Sequence, residues 1–187
     1  MLISLDYKNV SAYQGFRYLH VTFTNSPSPE LLNRFVIALN ENGHLPYIIN
    51  HEQLCQMPYV QIAHTNDGKF ISGSAIKQCD GKLAEIGFML VDKKYRCLGL
   101  AEYMTKSRIS YAQKLGVKML YAKIRGKNIN SMNNLRKAGF RSAGNFLDQK
   151  NSQSTITWFY LPLQSIIHYE CCQLLRKKLL DLIPVIG

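Results

Sequence analysis

The chain has 187 residues, 47% of them hydrophobic and 19% charged, which suits one domain with a sizeable core. No apolar run approaches the roughly 18 residues of a membrane span, Met1 to Tyr7 lacks the basic start and apolar core of a secretory signal, and the five cysteines include no C-x-x-C pair, so a cytoplasmic protein with free thiols is expected rather than a disulfide or zinc scaffold. The net charge of +11 is localised: Asp92 to Lys150 holds 14 Lys and Arg against 3 Asp and Glu, and the remaining residues carry nine of each sign, so that segment is expected to meet an anion.

Met1 to Gly15 shows no assignable pattern and is set aside as an N-terminal extension. Phe16 to Phe23 is rich in β-branched and aromatic residues and predicts a strand. Glu30 to Asn40 predicts a helix, with Leu31, Leu32, Phe35, Val36 and Leu39 at helical spacing after a Ser-Pro start and Asn42-Gly43 as its stop. A short helix is expected from about His51 to Met57.

Tyr59 to His64, Lys69 to Gln78 and Lys82 to Val91 then read as three strands. Asn66-Asp67-Gly68 and Asp80-Gly81 separate them, turn signals that predict an antiparallel meander. Gly99 to Leu115 predicts a helix with Leu100, Met104, Tyr111 and Leu115 on one face and Gly116 as its stop. A strand over Val117 to Arg125, a helix from about Asn130 to Ala138 closed by Gly139, and a strand pair at Phe140 to Phe146 and Thr155 to Leu161 complete the pattern. After Pro162 an amphipathic helix places Leu163, Ile166, Ile167, Cys171, Leu174, Leu175 and Leu179 on one side, a pattern that suits capping the domain, a homodimer contact or a membrane surface. The order predicts an α/β (α+β) fold: a mixed, mostly antiparallel sheet of about seven strands with flanking helices.

The most informative stretch is Val91 to Ala101, where an apolar strand empties into a basic, glycine-containing turn and a helix begins. A helix N-terminus leaves its first amides without intrahelical partners and carries partial positive charge, so anionic oxygens bind there. Gly99 lets the backbone approach a phosphate, small Ala101 leaves the first turn unobstructed, and Lys93, Lys94 and Arg96 add full charges.

A second motif lies downstream, with Asn128 and Ser131 opening a helical stretch that continues through Leu135 to Lys137, Gly139 and Phe140. Together with Arg96, Gly99 and Ala101 and the order of elements, it resembles the GNAT superfamily of acetyl-CoA-dependent N-acyltransferases over about Phe16 to Leu161. The resemblance implies one GNAT-like domain over residues 16–161, with residues 162–187 as an added C-terminal helix. It implies that backbone amides of Arg96, Cys97, Leu98, Gly99, Leu100 and Ala101 hold the coenzyme A pyrophosphate. Met89, Leu90 and Val91 would pair with the pantetheine arm, and Asn128 and Ser131 would meet that arm from the second motif. Lys93, Lys94 and Lys127 are candidates for the 3′-phosphate, and no metal is implied.

Two positions depart from the family pattern. Cys97 stands where many members have glycine, and Leu135 where many place the tyrosine that protonates the leaving thiolate; leucine has no proton to give. Tyr95, Tyr103, Tyr121, Tyr160 or a water held by Asn134 remain as substitutes. Glu85, acidic within the apolar strand between Ala84 and Ile86, is the candidate general base, the alternative being a solvent-facing residue or one paired with Lys82. A backbone N–H near Met89 or Leu90 would serve as oxyanion donor.

The expected activity is therefore transfer of an acetyl group from acetyl-CoA to a primary amine of a small molecule or protein by direct attack. Two other readings share the cofactor: an acyl-CoA-binding regulatory domain without turnover, for which Leu135 speaks, and a toxin-like enzyme acting on aminoacyl-tRNA, which suits the basic charge. A nucleic-acid-binding module ranks last, because the basic segment lacks aromatics interleaved at a groove-reading spacing.

Overall fold

Local chemistry sets most element boundaries in the computed structural model, which describes residues 21–42, 45, 47–126, 128–148, 151–164 and 168–180. The N-terminal extension, the first residues of the expected strand at 16–20, Gly43, Lys127, Ile166 and Ile167 lie outside the described residues. The strand at the start is seen as β1 (Thr22–Thr24). Helix α1 (Pro29–Glu41) starts where the Ser28 hydroxyl accepts from the Leu31 N–H at 3.3 Å, with proline in the first turn, where its missing N–H costs nothing. Asn50 and Gln53 form a reciprocal capping box at the head of α2 (His51–Cys55).

The meander follows as β2 (Tyr59–His64), β3 (Phe70–Cys79) and β4 (Leu83–Val91), with Gly68 and Gly81 taking the left-handed conformation their turns require. Then come α3 (Leu100–Lys114), β5 (Met119–Arg125), α4 (Ile129–Lys137), β6 (Arg141–Asp148), β7 (Asn151–Pro162) and α5 (His168–Leu180). The strands form one seven-stranded sheet in the order β1-β2-β3-β4-β5-β7-β6. Pairing is antiparallel for β1 with β2, β2 with β3, β5 with β7 and β7 with β6, and parallel for β4 with β5. The expected mixed, mostly antiparallel sheet with flanking helices is thus what the chain forms. The parallel ladder consists of Leu83 with Met119, Ala84 with Leu120 and Glu85 with Tyr121.

Two expectations from helical periodicity are corrected. Leu163 is not part of the last helix: its N–H donates to the Lys118 carbonyl at 2.8 Å, continuing the β5 to β7 pairing, and the described helix starts at His168. Leu115 is 49% exposed, while the buried face of α3 holds Leu100, Met104, Thr105, Arg108 and Ala112. Periodicity reports an apolar stripe but not where the helix stops touching the sheet.

The described contacts divide into two compact units. In the first, residues 1–78 and 86–108, α1 lays Leu32, Phe35 and Leu39 on Val60, Ile62 and Ala75 of the sheet, together with Phe88 and Leu90 of β4. A separate cluster joins Leu100 and Met104 of α3 to Ala63 and Ile71, with Met89, Val91 and Leu98 packed against it. A Cβ added at Gly73 would sit 2.5 to 2.7 Å from the ring of fully buried Phe35, which stacks on Phe70. Gly73→Ala is therefore expected to destabilise the protein by about 1–3 kcal/mol through overpacking. A urea midpoint equal to that of the parent would show that the ring yields freely.

In the second unit, residues 79–85 and 109–187, Leu83, Met119, Tyr121, Trp158 and Tyr160 pack with Cys171 and Leu175 of α5. The apolar side of the last helix is thus used within its own unit. The ring of Tyr121 stacks on Trp158, with centroids 5.6 Å apart.

Candidate functional site

The loop after β4 folds back on its own stem. Asp92 donates its N–H to the Ile71 carbonyl at 2.9 Å and accepts the Lys94 N–H on its carboxylate at 2.8 Å, heading a single 3-10 turn over Lys93–Tyr95. Arg96 Nε donates to the Val91 carbonyl at 3.1 Å. Cys97 and Gly99 then both take the left-handed conformation, at φ 64° and 77°. Leu98 packs against the cluster that buries Leu100.

Among the described residues, the N–H groups of Cys97, Leu98 and Gly99 donate to no other residue. The first helical bond of α3 runs from the Tyr103 N–H to the Gly99 carbonyl at 3.0 Å, so the amides of Leu100 and Ala101 head the helix without intrahelical acceptors. A Cβ at Gly99 would meet nothing within 4 Å. Lys93, Lys94, Arg96, Cys97 and Gly99 are exposed. Unpartnered amides in an open loop, at a helix N-terminus and beside three cations, make a cradle suited to a phosphate chain. The left-handed backbone at Cys97 gives a reason for glycine there in many family members, since a side chain costs about 1–2 kcal/mol in that conformation.

Upstream of the loop, β4 carries a feature that nothing in its sequence signals: Phe88 has φ 51°, in the left-handed region inside a strand. The Gly87 carbonyl just before it accepts from Arg108 Nη1 at 3.2 Å. Arg108 is 1% exposed, and burial pulls its pKa down to about 10, with Tyr59 opposing that shift. Met89 and Val91 are half-buried and Leu90 is buried.

In the second unit, Asn128 is the N-cap of α4, its side-chain oxygen accepting the Ser131 N–H at 3.1 Å. Asn128 is exposed and Ser131 half-buried. Leu135 is buried, its carbonyl accepting the Phe140 N–H at 3.0 Å. Of the tyrosines named as substitutes for a proton donor there, Tyr121 and Tyr160 are buried, while Tyr95 and Tyr103, in the first unit, are half-buried.

Glu85 ends the parallel ladder and is 4% exposed, and its Oε2 lies 2.9 Å from Lys123 Nζ. The partner is thus Lys123 and not Lys82. The same ammonium lies 5.3 Å from the Trp158 ring centroid and 5.9 Å from that of Tyr121. Lys123 escaped sequence reasoning because its place depends on two registers, Glu85 with Tyr121 and Lys123 with Trp158. Among the described residues no three His, Cys, Asp or Glu side chains gather in a metal-binding group, and no helix is long and apolar enough to cross a membrane.

Comparisons with known proteins bear on the fold and the family. The chain matches the model of the "Acetyltransferase (GNAT) family" over residues 17–140. Among solved structures, Ard1 from Thermoplasma volcanium is 13% identical at a TM-score of 0.66, the match covering 78% of this chain and 99% of that one. An N-acetyltransferase from Staphylococcus aureus Mu50 is 16% identical at 0.63, covering 77% and 99%. A GNAT superfamily phosphinothricin acetyltransferase from Sinorhizobium meliloti, in complex with AcCoA, is 13% identical at 0.63, covering 76% and 88%. Among curated proteins nothing matches the chain. At these identities the structures show a shared fold; the family model, which spans both the loop at Arg96 to Ala101 and the motif at Asn128 to Phe140, shows that the chain belongs to the GNAT acetyltransferase family.

Proposed function

We propose that the protein transfers an acetyl group from acetyl-CoA to a primary amine by direct attack, through a core spanning residues 16–161. The observation that carries this reading is the run of unpartnered amides from Cys97 to Ala101 beside Lys93, Lys94 and Arg96. That loop would hold the pyrophosphate, and Lys93 and Lys94 the 3′-phosphate. Met89, Leu90 and Val91 would line the pantetheine arm; Asn128 and Ser131, at the head of α4, are the cofactor candidates of the second unit. Acetyl-CoA supplies an activated acetyl thioester.

What the chain adds is placement and proton handling. Glu85 is the candidate base that takes the proton from the acceptor ammonium, directly or through one water, with Lys123 balancing its charge within the buried pair. A proton donor at Leu135 is dispensable: a thiol with a pKa of about 8.5 leaves tolerably as the anion. The excess of cations over Asp92 to Lys150 favours an acceptor that is itself acidic.

The test is release of free thiol from acetyl-CoA in the presence of a panel of small amines, acidic peptides and aminoacyl-tRNA. Turnover on any of them supports the proposal. Calorimetric binding of coenzyme A with no turnover on the whole panel would favour a regulatory acyl-CoA-binding domain, the reading to which buried, apolar Leu135 lends weight. Absence of binding would remove both.

A further inference from the structure

Arg108 is the largest fully buried side chain among the described residues. Its three hydrogen bonds all end on neutral oxygens: Nη1 to the Gly87 carbonyl at 3.2 Å, Nε to the Met104 carbonyl at 3.3 Å and Nη2 to Thr105 Oγ1 at 2.9 Å. No described carboxylate lies within ion-pair distance of it. A buried cation without a counter-ion works against folding, so a core helix position would ordinarily carry an apolar residue instead. Two of the three acceptors, on Met104 and Thr105, belong to its own helix; the third bond reaches β4, at the peptide group joining Gly87 to Phe88. At that point β4 leaves regular strand geometry, and Phe88 takes φ 51° at a cost that the surroundings must offset.

We propose that Arg108 is a positioning residue for acyl transfer: its guanidinium pins the Gly87 carbonyl, holds the left-handed turn at Phe88 and so aims the following amides, those of Met89 and Leu90, at the thioester oxygen. The charge-assisted bond also polarises the Gly87–Phe88 amide, which strengthens the Phe88 N–H as a donor. The inference rests on the acetyl-transfer reading above and adds to it a residue two turns into α3, away from the phosphate loop.

The test reads the thioester directly. Acetyl-CoA labelled with carbon-13 at its carbonyl is bound to the full chain, and the carbonyl stretch is followed by difference infrared spectroscopy. In the parent protein the band is expected below its position in water. In Arg108→Met it should return most of the way to the water position, while affinity for coenzyme A, which has no acetyl group, stays within about threefold because the phosphate loop is untouched. Arg108→Lys should fall between the two, keeping the charge and losing the fork. On an acceptor found with the panel, kcat of the Met variant should drop by about 10- to 100-fold, less than for outright removal of an oxyanion donor. If Arg108→Met does not fold, Thr105→Val removes one partner of the guanidinium and gives the same readout on a smaller scale. A folded Met or Val variant with an unmoved band and parental kcat would overturn the proposal, as would a parental band at its water position. Failure of the parent to bind coenzyme A at all would be a different result, ending the acetyl-transfer reading and this inference with it.

Discussion

Gly99→Glu is expected to abolish coenzyme A binding. The backbone at Gly99 is left-handed, and an added Cβ would touch nothing within 4 Å, so the new side chain has room and the fold should persist. Strain alone is measured by Gly99→Ala, which carries the left-handed penalty of about 1–2 kcal/mol without new charge and should keep affinity within about tenfold. Glutamate adds a carboxylate where the amides of residues 97 to 101 would otherwise receive a phosphate. Two such charges about 4 Å apart repel by about 4 kcal/mol at an effective dielectric of 20, or a loss of roughly a thousandfold in affinity. Calorimetric titration with coenzyme A checks this, and parental affinity in the Glu variant would take the loop out of the site.

The Glu85–Lys123 pair should show the largest stability effects, and unequal ones. Lys123→Ala removes the ammonium 2.9 Å from a carboxylate whose residue is 4% exposed, so destabilisation of about 3–5 kcal/mol is expected, as for a broken buried ion pair. Glu85→Ala should cost less, because the Lys123 side chain is 27% exposed and its long stem can carry the ammonium into water. Replacing both by methionine should recover most of the loss. Urea unfolding of the three variants decides the order; equal costs for the two single changes would contradict this account of the burial. Catalysis separates in Glu85→Gln, which keeps size and polarity: if Glu85 is the base, turnover falls by about 100- to 10,000-fold. A Gln variant with the parental rate would leave Glu85 a structural partner of Lys123.

The parts of this protein legible in the sequence are those whose physics is local. The turns at Gly68 and Gly81 and the Ser-Pro start of α1 each depend on residues within four positions of one another. The proposed phosphate loop is equally local: glycine, cations and the start of α3 lie within eleven consecutive residues, Val91 to Ala101, so its candidates could be named before any fold was known. The succession of elements along the chain followed from the same punctuation.

What the tertiary structure alone decided involves residues brought together across the sheet. Lys123 meets Glu85 only because β4 and β5 pair in one register and Trp158 lies opposite Lys123 in another. Arg108 falls at helical spacing from Leu100 and Met104, on the face that packs, yet its charge by itself argues for solvent; the partner that meets it on that buried face is a carbonyl 21 residues away in β4. The left-handed turn at Phe88 has no propensity behind it, since phenylalanine gains nothing there by itself and the conformation is held by its surroundings. The amides proposed to receive the cofactor lie in a short stretch of chain; the groups proposed to handle the proton and the oxyanion are set by registers and packing, which no single stretch encodes.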